Sequence, residues 1–198
     1  MGIVGINLVK REIRIAGFDD APFSFSDKET KIIGTIFRGG SWLDGTVVRN
    51  IKIDGLDSTD KIIEAVNGSP HKNQLRVIML DGVTFGGFNI VDMEKLYKKT
   101  GLPVIAVVRD KPDFDSIRLA LKRFDDFGTR WRLIKKAGDV KPLEVLNPKT
   151  GKLKKIWFQN RGIEPATARK VIKISSTSSF RESPAPKVKR ARRHKQSK

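Results

Sequence analysis

An α/β domain with a mixed five-stranded sheet, helices on both faces and a C-terminal hairpin plus helix is the fold predicted for this chain of 198 residues. Three observations predict it. Three β-branched stretches follow one another with no helical spacing between them. Two further apolar stretches are each preceded by an amphipathic segment. The length suits one domain of roughly 100 to 200 residues rather than two. Residues 1–180 are expected to form that domain and residues 181–198 a basic tail.

Candidate strands lie at residues 13–18, 32–37, 46–53, 76–80 and 104–108. The second and third are separated by Arg38-Gly-Gly-Ser-Trp-Leu-Asp-Gly45, a glycine-rich turn suited to antiparallel neighbours. In residues 58–66, Ile62, Ile63 and Val66 recur at helical spacing, with Asp57 or Ser58 placed to cap the first turn. A second helix is expected over residues 89–99, where Val91 and Leu96 share a side and Gly101-Leu-Pro103 supplies the stop. A third is expected over residues 115–124. Beyond Trp131 the pattern gives a hairpin, residues 140–147 and 154–158 around Pro148-Lys-Thr-Gly151, and a helix over residues 164–174 with Ala168, Val171 and Ile172 inward. Three adjacent strands followed by helix, strand, helix, strand and helix imply an antiparallel edge joined to parallel strands with right-handed crossovers. That is the ribonuclease H-like arrangement. A dinucleotide-binding sheet would instead open with a glycine-rich phosphate loop and a helix after its first strand, and neither is present.

Composition narrows the chemistry. There is no cysteine, and His71 and His194 are the only imidazoles, so disulfides, thiolate zinc sites and cysteine nucleophiles are excluded. Any metal must rest mainly on carboxylates, which favours Mg2+ or Mn2+. The formal charge of +18 favours a polyanionic partner held by displacement of its counterions. Seven of those charges belong to residues 181–198, leaving +11 on the body. Nucleic acid, DNA or RNA, single-stranded or duplex, is the expected partner. No apolar run reaches the roughly 18 residues of a membrane span, and the first ten residues have neither basic leader nor cleavage site, so a cytoplasmic protein is expected. Oligomeric state is left open.

Acidic groups stand at strand ends: Asp19 with Asp20 after the first, Asp57 where the third leads into a helix, and Asp81 after the buried run Val77-Ile-Met-Leu80. Converging carboxylates repel one another unless a cation neutralises them, so joint placement points to a metal. Singly, each is equally at home as a turn residue, above all in the Asp-Gly pairs at 44–45, 54–55 and 81–82. Asp44 and Asp54 therefore stand as alternatives to Asp57 for a third ligand. Phe23, Phe25, Trp42 and Phe85 are expected in loops around this rim, where an aromatic ring could wedge or stack against bases, ordinary loop packing being the competing role.

Five ordered motifs carry a family resemblance: Arg14-Ile-Ala-Gly-Phe-Asp-Asp-Ala-Pro-Phe23, Phe37-Arg-Gly-Gly-Ser-Trp-Leu-Asp-Gly45, Val77-Ile-Met-Leu-Asp-Gly82, Gly86-Gly-Phe-Asn-Ile-Val-Asp92 and Leu102-Pro-Val-Ile-Ala-Val-Val-Arg109. Over residues 8–180 the chain resembles the mainly archaeal family known as domain of unknown function 99, a distant relative of endonuclease V. The resemblance implies a metal-dependent endonuclease acting beside a deaminated base in DNA, deoxyuridine being the substrate suggested for this branch. It implies Asp19 and Asp81 as metal ligands, with Asp57 standing in for the acidic residue at the start of the first helix and Asp54 or Asp60 as substitutes. Arg109 takes the place of a lysine that would hold a phosphate, with a more rigid, forked geometry. The C-terminal pattern departs from the relatives: Ser183-Pro-Ala-Pro-Lys-Val-Lys-Arg-Ala-Arg-Arg193 has no histidine in register, and His194 comes late. Lys187, Lys189 and Arg190 are expected there as clamps on nucleic acid.

Overall fold

The computed structural model describes residues 12–24, 26–39, 42–147 and 150–178. Three strands come first, β1 (Arg14–Asp20), β2 (Glu29–Arg38) and β3 (Trp42–Lys52), and consecutive pairs run antiparallel. Helix α1 (Ser58–Asn67) then leads to β4 (Leu75–Asp81), which lies parallel to β1 on the side away from β2. A small hairpin, β5 (Thr84–Phe85) with β6 (Asn89–Ile90), precedes α2 (Met93–Thr100) and β7 (Val104–Val108), which is parallel to β4. Helices α3 (Phe114–Leu121) and α4 (Phe127–Lys136) follow, then β8 (Lys141–Leu146), β9 (Leu153–Arg161) and α5 (Pro165–Ser178).

The sheet order is β3-β2-β1-β4-β7-β9-β8. Its first five strands form the predicted mixed sheet. The expected C-terminal hairpin follows and extends that sheet to seven strands, because β9 pairs antiparallel with β7. Two differences lie on the helices. The predicted 89–99 helix starts only at Met93, since Asp92 caps it by accepting the amides of Glu94 and Lys95 while Asn89 and Ile90 belong to β6. Helix α4 had no counterpart in the sequence reading. Gly101 ends α2 as expected, in the left-handed region at φ 70° that favours glycine.

The pleat sorts the core into two layers. Ala16, Phe18, Ile32, Ile78 and Leu80 face α1 and α2, packing on Ile62, Val66 and Leu96. Ile13, Ile15, Val77, Ile105 and Phe158 face α5 and pack on Ala168, Val171 and Ile172. A third cluster, Ile90, Leu121 and Ile134, holds α3 and α4 over the hairpin β5–β6. No helix among the described residues is long and apolar enough to cross a membrane.

Candidate functional site

Strands β1, β3, β4 and β7 all point the same way, so their C-terminal ends share one rim of the sheet. At that rim β1 and β4 are adjacent, with Phe18 in register with Leu80, and each strand ends in the next residue or two with an aspartate. Alternation sends Asp19 to the α5 side with Ile15, and Asp81 to the same side with Val77 and Met79. Both line one open cleft of about 460 Å3, whose floor is Gly17, Ile33, Thr35, Met79 and Val107. Burial in the cleft, then the negative charge of Asp81, push the Asp19 carboxyl above the ordinary aspartate value; the amide of Asp20, which donates to Asp19 Oδ1 at 2.9 Å, pulls it back only in part. Neither Asp19 nor Asp81 meets a cationic side chain in an ion pair among the described residues.

Asp20, one residue on, belongs to the other face. Its Oδ2 accepts the Gly86 amide at 2.7 Å and so fastens the β5–β6 hairpin to the end of β1. The exit of β3 is fastened to the same hairpin. Asp54 Oδ1 accepts the Phe88 amide at 2.7 Å, and a Cβ on Gly87 would lie 2.3 Å from that oxygen, which is why glycine stands there. Asp57 accepts Asn89 Nδ2 at 2.6 Å and lines a separate depression with Glu29, Arg49 and Lys61. The structure thus brings Asp19 and Asp81 together and leaves Asp57 apart, held by Asn89. The three alternatives to Asp57 do not join the pair either. Asp54 is bridged by Arg123 at 3.0 Å, Asp60 pairs with Lys95 at 2.6 Å, and Asp44 pairs with Arg14 at 2.7 Å at the opposite end of the sheet. Among the described residues no group of three or more His, Cys, Asp or Glu is placed to hold a metal ion.

The remaining expected residues divide. Arg109 is exposed immediately after β7, at the same rim. Phe23 stays near it, half-buried in the wall of a depression formed with Ala21, Pro22 and Thr30. Two aromatic expectations are corrected. Phe85 is 0% exposed inside the α1–α2 core layer, so its ring cannot reach a base. Trp42 is 69% exposed but pairs with Arg38 at the far end of the sheet, five residues along β2 from Ile33, the partner of Asp19; at roughly 3.3 Å per residue that is about 17 Å away. Phe25, Lys187, Lys189 and Arg190 lie outside the described residues.

Two features were not anticipated. A second pocket of about 300 Å3 adjoins the rim, starting at Gly82 directly after Asp81, walled by Val83, Phe88, Phe114 and Ile134 and edged by the polar Lys111 and Gln159. Its shape depends on α4. Arg130, buried in that helix, donates to the carbonyls of Asp54, Gly55 and Phe88 at 2.7, 3.2 and 2.6 Å and pairs with Asp126 at 2.5 Å. One side chain thereby joins the two loops above the rim. An arginine four residues after an acidic one, Arg130 after Asp126, is the signal the sequence offered for it.

Known proteins share both sequence and fold with this chain. UPF0215 proteins of Methanothermobacter thermautotrophicus and Methanosarcina mazei are 51% and 48% identical to it, over 86% and 85% of this chain and 81% and 83% of theirs. The crystal structure of an Archaeoglobus fulgidus protein of unknown function superposes with a TM-score of 0.72 at 32% identity, covering 84% of this chain and 92% of that one. Endonuclease V of Ciona intestinalis, solved with inosine-containing DNA, matches at TM-score 0.51 and 12% identity over 82% of this chain and 77% of its own, a likeness of fold that agrees with the ribonuclease H-like sheet order. The family described as endonuclease dU matches residues 11–186, which include the whole rim with Asp19 and Asp81, and the chain belongs to that family.

Proposed function

We propose that the protein is a divalent-metal-dependent endonuclease that hydrolyses a DNA phosphodiester beside a deaminated base, deoxyuridine before deoxyinosine. The observation that supports it most is the pair of carboxylates, Asp19 and Asp81, on neighbouring parallel strand ends in an open cleft, outside every ion pair among the described residues. Two such groups suit Mg2+ or Mn2+, which are commonly held by one or two carboxylates together with substrate phosphate oxygens. The raised affinity of Asp19 for a proton is the same electrostatic deficit a cation would relieve. A metal bound there supplies Lewis acidity and a more acidic water.

The chain's own residues do the positioning. Asp19, aimed by the Asp20 amide, and Asp81 hold the charge in the cleft. Arg109, exposed beyond β7, grips a phosphate through its planar fork. Phe23 lies where a ring could enter the base stack, and the 300 Å3 pocket behind Gly82 takes the extruded base, which leaves a mismatched pair at lower cost than a matched one. Gln159, whose Nε2 is held by the Gly138 carbonyl at 2.7 Å, is a fixed polar group in its wall. Preference for deoxyuridine is supported by the family to which the chain belongs.

The test uses end-labelled duplexes carrying deoxyuridine, deoxyinosine or no lesion, with Mg2+, Mn2+ or EDTA. Cutting of the deoxyuridine strand is expected with metal only. Asp81→Ala should lower the rate by about 10² to 10⁴, the equivalent of several kcal/mol of charge stabilisation. Failure to cut with either metal, or cutting that survives Asp81→Ala, rejects the proposal. The lack of a three-ligand cluster among the described residues favours one second reading, a nucleic-acid-binding module with a vestigial acidic site. In that case binding persists in EDTA and no strand is cut.

A further inference from the structure

We infer that the outer half of the β8–β9 hairpin is a track for the nucleic-acid strand leading out of the pocket behind Gly82, with Lys111, Lys155 and Trp157 as its contact groups; the inference rests on the proposed reading of that pocket. Strand β9 runs antiparallel to β7, and its last partner there is the pair Val108 with Trp157. Residues 153–156 therefore continue past the end of β7, beyond the rim that carries Asp19 and Asp81. Alternation places Gln159, Trp157, Lys155 and Leu153 on one face of β9, while Ile156 and Phe158 go into the α5 core layer. Gln159 is already in the pocket wall, so the stripe starts at the pocket and runs outward to the hairpin tip.

Cations meet the aromatic ring on this stripe. Lys155 Nζ lies 5.0 Å and Lys111 Nζ 5.7 Å from the centroid of Trp157, and Lys111 is itself part of the pocket edge. Attraction to the ring restrains both ammonium groups without cancelling their charge. Carboxylates are near but leave them unpaired: Glu144 faces Lys155 across the strands and Asp110 lines the pocket, yet neither forms an ion pair with these lysines among the described residues. Lys154 and Arg109 are likewise exposed and outside every described ion pair. A ring flanked by uncompensated cations is the chemistry that binds a single strand, phosphates on the ammonium groups and bases against the π-face. An acidic protein would find the cations useful but would have no need of an indole between them at the mouth of a base-sized pocket.

The test is fluorescence anisotropy with a labelled single strand and a labelled deoxyuridine duplex, in EDTA so that nothing is cut, across a salt series. The full-length protein is compared with Lys111→Gln/Lys155→Gln and with a control of equal charge, Lys98→Gln/Lys99→Gln, in the last turn of α2 near the opposite rim. Loss of two phosphate contacts should make the single-strand salt slope shallower by roughly 1.4 and weaken binding on the order of tenfold at moderate salt, with the control unchanged. If the two double variants behave alike, the track is refuted while the nuclease reading stands. If the unaltered protein binds neither oligonucleotide, the nuclease reading falls and the track with it.

Discussion

Asp19 and Asp20 are chain neighbours with opposite duties, one facing the open cleft and the other bonded to the Gly86 amide. The raised proton affinity of Asp19 has a consequence for stability. A carboxyl whose folded pKa exceeds its unfolded value destabilises the fold once ionised, so stability is gained as pH falls through the folded pKa and is lower above it. Asp19→Asn is therefore expected to raise Tm in metal-free neutral buffer, and the gain should fade as the buffer is acidified into the range where Asp19 is protonated; a calorimetric scan at several pH values checks both. Both aspartates were legible as polar residues ending apolar strands. The two misplaced aromatics were not, for different reasons. Phe85 is buried because residues 84–90 fold back as a hairpin, a tertiary event without local signature. Trp42 was assigned to the wrong end, although an antiparallel β1–β2 pair already puts the β2–β3 turn opposite the Asp19 rim.

Among elements, the five central strands and their crossovers follow from apolar runs and periodicity, and their limits differ from expectation by a few residues. Helix α4 escaped because its inward stripe is interrupted: Phe127, Trp131 and Ile134 are apolar, but the position between them is Arg130, which is buried and spent on loop carbonyls. Helix α2 offers the clearest local energetics. Burial of the Asp92 carboxyl would raise its pKa, but Lys136 at 2.7 Å and the amides of Lys95 and Glu94 outweigh burial and hold it below the usual value. A depressed carboxyl contributes stability above its unfolded pKa and loses it as pH falls through the folded one. Asp92→Ala should cost about 1 kcal/mol at neutral pH, roughly 2 to 4 °C in Tm for a chain of this size, and the difference should close in acid. Urea melts of both proteins across that range measure it.

At the scale of the whole molecule, the long-range join of β9 to β7 was beyond sequence reading, since no periodicity says which edge a distant hairpin will extend. The distribution of charge was easier to foresee. Removing residues 181–198 takes away seven of the eighteen net charges. If Lys187, Lys189 and Arg190 each meet a phosphate, the duplex salt slope should become shallower by about 2.7. An unchanged slope in the truncated protein rules out the tail as a clamp. The cleft, by contrast, is a negative hollow within a cationic body, where burial and the charge of Asp81 make Asp19 harder to ionise. Whatever drains charge from that hollow, a proton or a divalent ion, eases the approach of a polyanion, and by reciprocity the polyanion tightens its hold on the proton or ion in equal measure. Backbone recognition and loading of the hollow are two readings of one coupled equilibrium, whichever ligand arrives first.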